Sequence, residues 1–127
     1  KSNIKVAKSF DYAETFNEPL LIGTNETVGH ISMTTDNKRN TWLLWQKTAK
    51  KGLVELVLTK IEPDSNQIMH KIIEEAGKSP RFSFPQIARN GETIILAYTT
   101  VINDSRETRG SNRKTSIKSL SFNANLY

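Results

Sequence analysis

Short runs of apolar and β-branched residues, separated by turn-forming residues at regular spacing, dominate the pattern of this chain. The stretch 29–75 contains four such runs in succession, and Gly, Pro, Asn and Asp cluster between them. Runs of this kind are typical of β-strands that form an antiparallel meander. No window shows the period of an amphipathic helix. The sequence therefore predicts an all-β protein whose central unit has strands at 29–35, 41–47, 53–61 and 68–73.

The remaining strands form two incomplete units, one before this meander and one after it. Before it, apolar runs at 4–8 and 19–22 flank a polar octet. After it, Asn90 and Gly91 lie between two apolar runs, which is a strong hairpin signal, and the last run, 115–122, alternates with period two. The prediction is nine strands in groups of two, four and three, all within one domain, with boundaries at 1–23, 28–75 and 84–122.

An internal repeat links the second and third groups. Trp42-Leu-Leu-Trp45-Gln and Ile95-Leu-Ala-Tyr98-Thr hold the same place in their groups, and each run ends in an aromatic residue after a first strand and a turn. Sheet-forming repeats of about 50 residues are typical of β-propellers. The repeat predicts that Trp45 and Tyr98 are equivalent core aromatics.

The polar octet, residues 9–16, is the most specific motif of the chain. It reads Ser-Phe-Asp-Tyr-Ala-Glu-Thr-Phe. Asp11 can accept hydrogen bonds from turn amides, Ser9 and Thr15 can brace the hairpin, and Phe16 can pack beneath it. The motif is therefore predicted to be structural.

The octet resembles the Asp-box of sialidase-like β-propellers, Ser-x-Asp-x-Gly-x-Thr-aromatic, with Ala13 in place of the glycine. A Cβ in a left-handed turn position costs on the order of 1 kcal/mol. Nearly the whole chain is similar to the last part of bacterial sialidase-like (exo-α-sialidase, BNR-repeat) propellers. The similarity rests on the octet together with Ile4-Lys-Val-Ala, Val28-Gly-His-Ile, the Trp42 and Tyr98 repeats and Phe84-Pro-Gln-Ile-Ala-Arg. The resemblance implies a propeller typically of six blades, a glycan ligand, and a secreted, periplasmic or cell-surface location.

Composition narrows the chemistry that the chain can carry. It has no cysteine and only two histidines, so neither a thiolate metal site nor a cofactor is expected. No apolar run is long enough to span a membrane as a helix. The formal net charge of +5 is compatible with an anionic partner, and equally with a solvated basic surface. Nucleic acid is not expected, because no exposed aromatics are interleaved with the basic residues.

The charges are predicted to separate between the two ends of the sheets. In a meander, successive connections alternate between ends, so the loop that enters each sheet and the loop between its second and third strands share one end. We call this the basic end, because it carries Lys47, Lys50, Lys51, Lys78, Arg81, Arg106, Arg109, Arg113 and Lys114. The acidic end has the octet and carries Asp11, Glu14, Glu18, Asp36, Glu62, Asp64 and Glu92.

The resemblance places a ligand funnel at the basic end, away from the Asp-box turns. Guanidinium groups there can bind two oxygens of a carboxylate or sulfate at once, and phenylalanines can offer an apolar face beside them. The alternative is a solvated loop with two core phenylalanines. The residues predicted to bind ligand are Arg81, Phe82, Phe84, Arg106, Arg109 and Arg113.

No catalytic set is identifiable. The resemblance implies an arginine triad, an acid/base Asp and a Tyr nucleophile assisted by a Glu, and none of these matches this chain residue by residue. Tyr98 is interpreted as a core aromatic, and His30 and His70 as packed or surface residues. Whether the protein is an enzyme stays open.

Three functions therefore compete. The first is a non-catalytic part of a sialidase-like propeller that recognises a glycan, and the second is part of an active exo-sialidase whose catalytic residues lie mainly outside this chain. The third is a self-assembling propeller lectin. In each case exposed strand edges are expected to pair with the remainder of a propeller or with identical chains.

Overall fold

The computed structural model describes residues 2–24, 27–76, 83–102 and 114–127. Within these ranges the chain is all-β, as predicted, and has no α-helix. The nine strands are β1 (Ile4–Val6), β2 (Leu20–Gly23), β3 (Thr27–Thr35), β4 (Thr41–Thr48), β5 (Val54–Ile61), β6 (Ile68–Ala76), β7 (Ser83–Asn90), β8 (Thr93–Ile102) and β9 (Lys114–Asn123).

Within each sheet, strands that follow one another in the chain pair antiparallel. The strands form a two-stranded sheet β1-β2, a four-stranded sheet β3-β4-β5-β6 and a three-stranded sheet β7-β8-β9. For the described strands the predicted grouping into two, four and three is therefore confirmed, and none of these sheets closes on itself.

The middle sheet is covered on both faces. Alternate side chains of β4 and β5 point to opposite faces, and each face joins a different apolar cluster. One cluster, with Trp42, Leu44 and Leu56, packs against Leu96 of the three-stranded sheet. The other contains Leu43, Trp45, Val57 and Ile61 of the middle sheet and Ile4 and Ile22 of the two-stranded sheet. Burial on both faces explains why β4 and β5 are continuous apolar runs.

The predicted repeat is visible in the strand registers. In β3, residues 29–31 lie between the register pairs Val28↔Gln46 and Ser32↔Leu44, so they face Trp45 alone. In β7, residues 84–85 likewise lie opposite Tyr98. Trp45 and Tyr98 therefore occupy equivalent places, each on the second strand of its sheet opposite a bulge in the first. Each ring also packs toward the preceding sheet.

Two short 3₁₀ segments were not predicted. Lys50–Gly52 joins β4 to β5, and Ala124–Leu126 follows β9. In the second segment the side chain of Asn123 accepts a hydrogen bond from the amide of Asn125. Tyr127 then lies against Phe122, with ring centroids 4.7 Å apart. The end of the chain thus closes one side of the core around Trp42.

No helix in the described ranges is long and apolar enough to cross a membrane.

Candidate functional site

Most of the predicted ligand-binding residues fall in stretches that the structure does not describe. Arg81, Phe82, Arg106, Arg109 and Arg113 all lie outside the described residues. The sixth residue, Phe84, is described, and its ring is 67% exposed. Phe84 is therefore not a core residue.

Phe84 has an unusual backbone conformation. It lies in the bulge of β7 with φ +47°, a left-handed region that a bulky side chain rarely adopts. The next residue, Pro85, is fully buried. Proline has no amide N–H to donate to a neighbouring strand, so it suits a bulge. The backbone is thus bent at the point where the Phe84 ring leaves the sheet.

The ring of Phe84 stacks on His30. The ring centroids are 5.2 Å apart and the planes differ by 23°. His30 belongs to the corresponding bulge of β3, and it is also exposed. The two bulges, residues 29–31 and 84–85, are hereafter the bulge pair. They carry an exposed aromatic platform made by two side chains from two sheets.

Two features hold the bulge pair in place. In β3, Gly29 has φ +74°, and a Cβ at this position would lie 3.0 Å from Nε2 of Gln46. Glycine therefore lets the bulged backbone approach β4 closely. Between the sheets, the amide of Ile87 donates to Oγ of Ser32 over 3.1 Å. This bond links β7 to β3 just beyond the two bulges.

The bulge pair lies toward the basic end. Thr27, at the start of β3, is the register partner of Lys47 near the end of β4, and the 3₁₀ segment with Lys50 and Lys51 follows. At the other end of the molecule, Lys8, next to the octet, donates to the carbonyl of Glu62 over 3.0 Å. Among the described residues, Lys47, Lys50 and Lys51 therefore lie at the end away from the octet.

The backbone is strained at Phe84, and the aromatic ring of this residue is exposed. Residues held in sparsely populated conformations cluster at ligand sites, where the rest of the structure maintains them. Gly29 meets the same conformational demand at no cost. The exposed ring of Phe84 is therefore maintained at a cost in folding stability. Such a ring can bind the flat apolar face of a ligand.

Tyr98 does not have the environment of a nucleophile. It is 4% exposed within the core between the second and third sheets, and its hydroxyl donates to Oε2 of Glu74 over 2.5 Å. Glu74 also accepts from Nζ of Lys118 over 2.8 Å. Burial raises the pKa of Tyr98, and the hydrogen bond and charge of Glu74 raise it further. An activated nucleophile needs the opposite change, so the interpretation of Tyr98 as a core aromatic is confirmed.

The octet has the hydrogen bonds that its sequence predicts. Oδ1 of Asp11 accepts from the Thr15 amide over 2.9 Å, and Oδ2 accepts from the Thr15 hydroxyl over 2.5 Å. Oγ of Ser9 accepts from the Ala13 amide over 2.8 Å and donates to Asp11 over 2.7 Å. The hydrogen bonds from Thr15, and then that from Ser9, lower the pKa of Asp11 to about 2.

One part of the octet prediction is wrong. Phe16 does not pack beneath the turn, because its side chain is 61% exposed. Phe10 and Tyr12 are exposed as well, at 64% and 104%. The side-chain and backbone hydrogen bonds close this turn, so it does not need an apolar anchor below it.

Ala13 is in the left-handed region, with φ +68°, as the comparison with the glycine of the Asp-box suggested. We expect Ala13→Gly to raise the free energy of unfolding by about 0.5 to 1 kcal/mol, because glycine adopts this conformation without a Cβ clash. Urea unfolding followed by fluorescence measures the change. Ala7→Gly, on the neighbouring strand end, is the control for added chain entropy, which should lower stability. Equal destabilisation by both changes would contradict the prediction.

Comparisons with known proteins identify no relative: no family model, no curated protein and no solved structure matches this chain. In the described part of the chain, no group of three or more His, Asp or Glu side chains is placed to hold a metal ion.

Proposed function

We propose that this chain is part of a sialidase-like β-propeller and that it binds a glycan on the aromatic platform of the bulge pair. Three antiparallel sheets follow one another in the chain, and the middle one packs face to face with each of the others. Equivalent aromatics on the second strands support a repeated unit. This arrangement is the one expected of successive propeller blades.

The observation that carries the binding proposal is the exposed ring of Phe84, held at positive φ and stacked on His30. Pyranose rings present flat apolar faces of C–H groups, and these pack well on exposed aromatic rings. The platform combines such a surface with a histidine, which can hydrogen-bond to sugar hydroxyls.

Charge favours an anionic sugar. Lys50 and Lys51 are exposed at the same end of the molecule, and the sequence places Arg81, Arg106, Arg109 and Arg113 at this end too. Guanidinium forks suit carboxylates and sulfates. The proposed ligand class is therefore sialylated, uronic or sulfated glycans, bound without catalysis by this chain.

The test is binding of the full chain to a glycan array, followed by titration calorimetry with the best acidic sugar. Phe84→Ala should weaken binding at least about tenfold, equivalent to 1.4 kcal/mol, because it removes the ring and keeps the bulge. Phe16→Ala is the matched control, since Phe16 is equally exposed at the acidic end and should leave binding unchanged. Replacing Arg81 and Arg109 together by alanine should abolish binding, and added salt should weaken it.

Phe84→Gly separates the role of the ring from that of the strain. We expect it to lose binding like Phe84→Ala but to gain about 1 kcal/mol of stability, since the left-handed conformation then carries no Cβ penalty. Equal affinity for neutral and acidic glycans, or affinity unchanged in both Phe84 variants, would refute the proposal.

A second candidate, the self-assembling lectin, is favoured by an incomplete layer. The two-stranded sheet covers only part of the four-stranded sheet beneath it, and Met33 of β3 stays 58% exposed beside the free edge of β1. A groove there is lined by Val6, Phe10 and Met33. Further strands from identical chains, or from the remainder of a propeller, would fill it. A solution mass of two or more times 14.4 kDa supports identical chains.

A further inference from the structure

A second cavity lies between β2 and three strands of the middle sheet, β4, β5 and β6. Its volume is about 330 Å³, which is within the lower range of small-molecule sites. Its walls include the apolar side chains of Ile22, Trp45, Val57 and Ile72. Gly23 and three polar residues, Thr24, Lys47 and His70, complete its lining. None of these residues belongs to the bulge pair.

The wall of this cavity is well ordered by packing. Trp45 is 4% exposed and Val57 is 2% exposed, and both belong to the apolar cluster between the first two sheets. Gly23 of β2 lies directly over the indole, since a Cβ there would come within 2.9 Å of the Trp45 ring. A ligand body would therefore meet a fixed aromatic edge.

A chain of hydrogen bonds orients His70 at the cavity. The indole Nε1–H of Trp45 donates to Oγ1 of Thr59 over 2.8 Å, and Thr59 is fully buried. The same Oγ1 lies 2.7 Å from Nδ1 of His70, within hydrogen-bond distance. In the tautomer in which Nδ1 accepts from the Thr59 hydroxyl, the ring proton is on Nε2, which is then a hydrogen-bond donor.

The surroundings of His70 favour its neutral form. Burial lowers the pKa of His70, and the positive charge of Lys47 lowers it further. Lys47 is itself fixed by an ion pair with Glu55, whose Oε2 lies 3.1 Å from Nζ. Glu55 faces Glu75 in the register of β5 and β6. Among the described residues that line the cavity, Lys47 is the one lysine, and no Arg, Asp or Glu accompanies it.

We propose that this cavity binds a small organic anion with an apolar body, of the class of aromatic carboxylates. Its ring would lie against Trp45, Val57 and Ile72. Its carboxylate would accept from the ammonium of Lys47 and from the Nε2–H of His70, since charge-assisted bonds favour a carboxylate over a neutral group. This site is independent of the glycan site and uses different strands.

Benzoate is the probe for this site, and benzamide is its neutral match. The chain has two tryptophans, and their indole N–H signals are resolved by ¹H–¹⁵N NMR. Benzoate should shift the Trp45 signal saturably and leave the signal of Trp42 in place, because Trp42 belongs to the other cluster and donates to Asp36. Benzamide should bind at least about tenfold more weakly.

Two substitutions test the polar contacts. His70→Phe keeps an aromatic edge against Trp45 but removes the donor, and Lys47→Gln removes the charge; each should weaken benzoate binding about tenfold. Lys38→Gln removes the same charge at the acidic end and should have no effect. If Lys47→Gln does not fold, His70→Phe decides the test by itself.

Each of the following outcomes would overturn the proposal. They are an absence of saturation up to on the order of 10 mM benzoate, equal binding of benzamide, and affinity unchanged in His70→Phe. Loss of benzoate binding in Phe84→Ala would likewise refute a site separate from the glycan platform. Failure of glycan binding leaves this experiment unaffected, so the two proposals are tested separately.

Discussion

Replacing Asp36 by alanine is expected to lower the free energy of unfolding by about 3 kcal/mol, because it removes four hydrogen bonds and leaves buried donors without partners. Asp36 is 7% exposed in the turn between β3 and β4. Its Oδ1 accepts from the amides of Lys38 and Asn40 over 2.9 and 3.0 Å. Its Oδ2 accepts from Nδ2 of Asn40 and from the indole of Trp42, each over 2.8 Å.

The pH dependence of this effect has a definite sign. Burial alone would raise the pKa of Asp36, but the hydrogen bonds from Asn40, Trp42 and Lys38 outweigh it and lower the pKa below 3.8. The unfolded chain therefore takes up this proton at a higher pH than the folded chain does. The stabilisation is complete above pH 3.8 and is lost as the pH falls through the lower, folded-state pKa.

Urea unfolding at neutral and acid pH measures both effects. The difference in free energy of unfolding between the parent protein and Asp36→Ala should decrease as the pH falls below 3.8. Asp64→Ala is the control, because the Asp64 side chain is 87% exposed at the same end of the molecule and should change stability by less than about 0.5 kcal/mol. A loss below about 1 kcal/mol for Asp36→Ala, or a difference that does not vary with pH, would contradict this account.

Leu56→Ala is expected to cost about 3 to 4 kcal/mol, since it removes a fully buried side chain and leaves a cavity. Leu56 is 0% exposed and lies in the cluster that joins the second and third sheets. Ile117→Ala is the matched control: Ile117 is 79% exposed on the outer side of the three-stranded sheet and should matter little.

Denaturant midpoints and slopes provide the measurement for Leu56→Ala. An unchanged slope with a lower midpoint would mean that the native packing has weakened without a change in the unfolded chain. A cost below about 1 kcal/mol, or an equal cost for Ile117→Ala, would mean that the second and third sheets do not share this core.

The strand pattern could be predicted from the sequence because its causes are local. Three signals predict the strands: the alternation of apolar and polar residues, runs of β-branched residues, and turn residues between the runs. Each signal lies within a few positions of the sequence. β5 was expected at 53–61 and lies at Val54–Ile61. The last strand was expected at 115–122 and lies at Lys114–Asn123. The hydrogen bonds of the octet were predictable for the same reason, since Asp11 and Thr15 are only four residues apart.

The candidate sites depend on contacts between distant segments, and these leave no local signal. The stack of His30 on Phe84 requires bulges in two sheets and a particular distance between them. Asp36 was predicted only as a turn residue, although its carboxylate also reaches the indole of Trp42. The one available hint was Phe84 before Pro85, a pair that fits poorly in the middle of a regular strand.

Within each sheet, strands pair with strands that are adjacent in the chain, and this topology affects the order in which the sheets fold. All three sheets are built from local hairpins, so each can form without a distant segment, and contacts of short sequence separation are reached fastest. A two-stranded sheet is marginal by itself. During synthesis, β1 and β2 are therefore not stable until Trp45 and Val57 have left the ribosome and can pack against them. β1 and β2 are thus made before the strands that stabilise them.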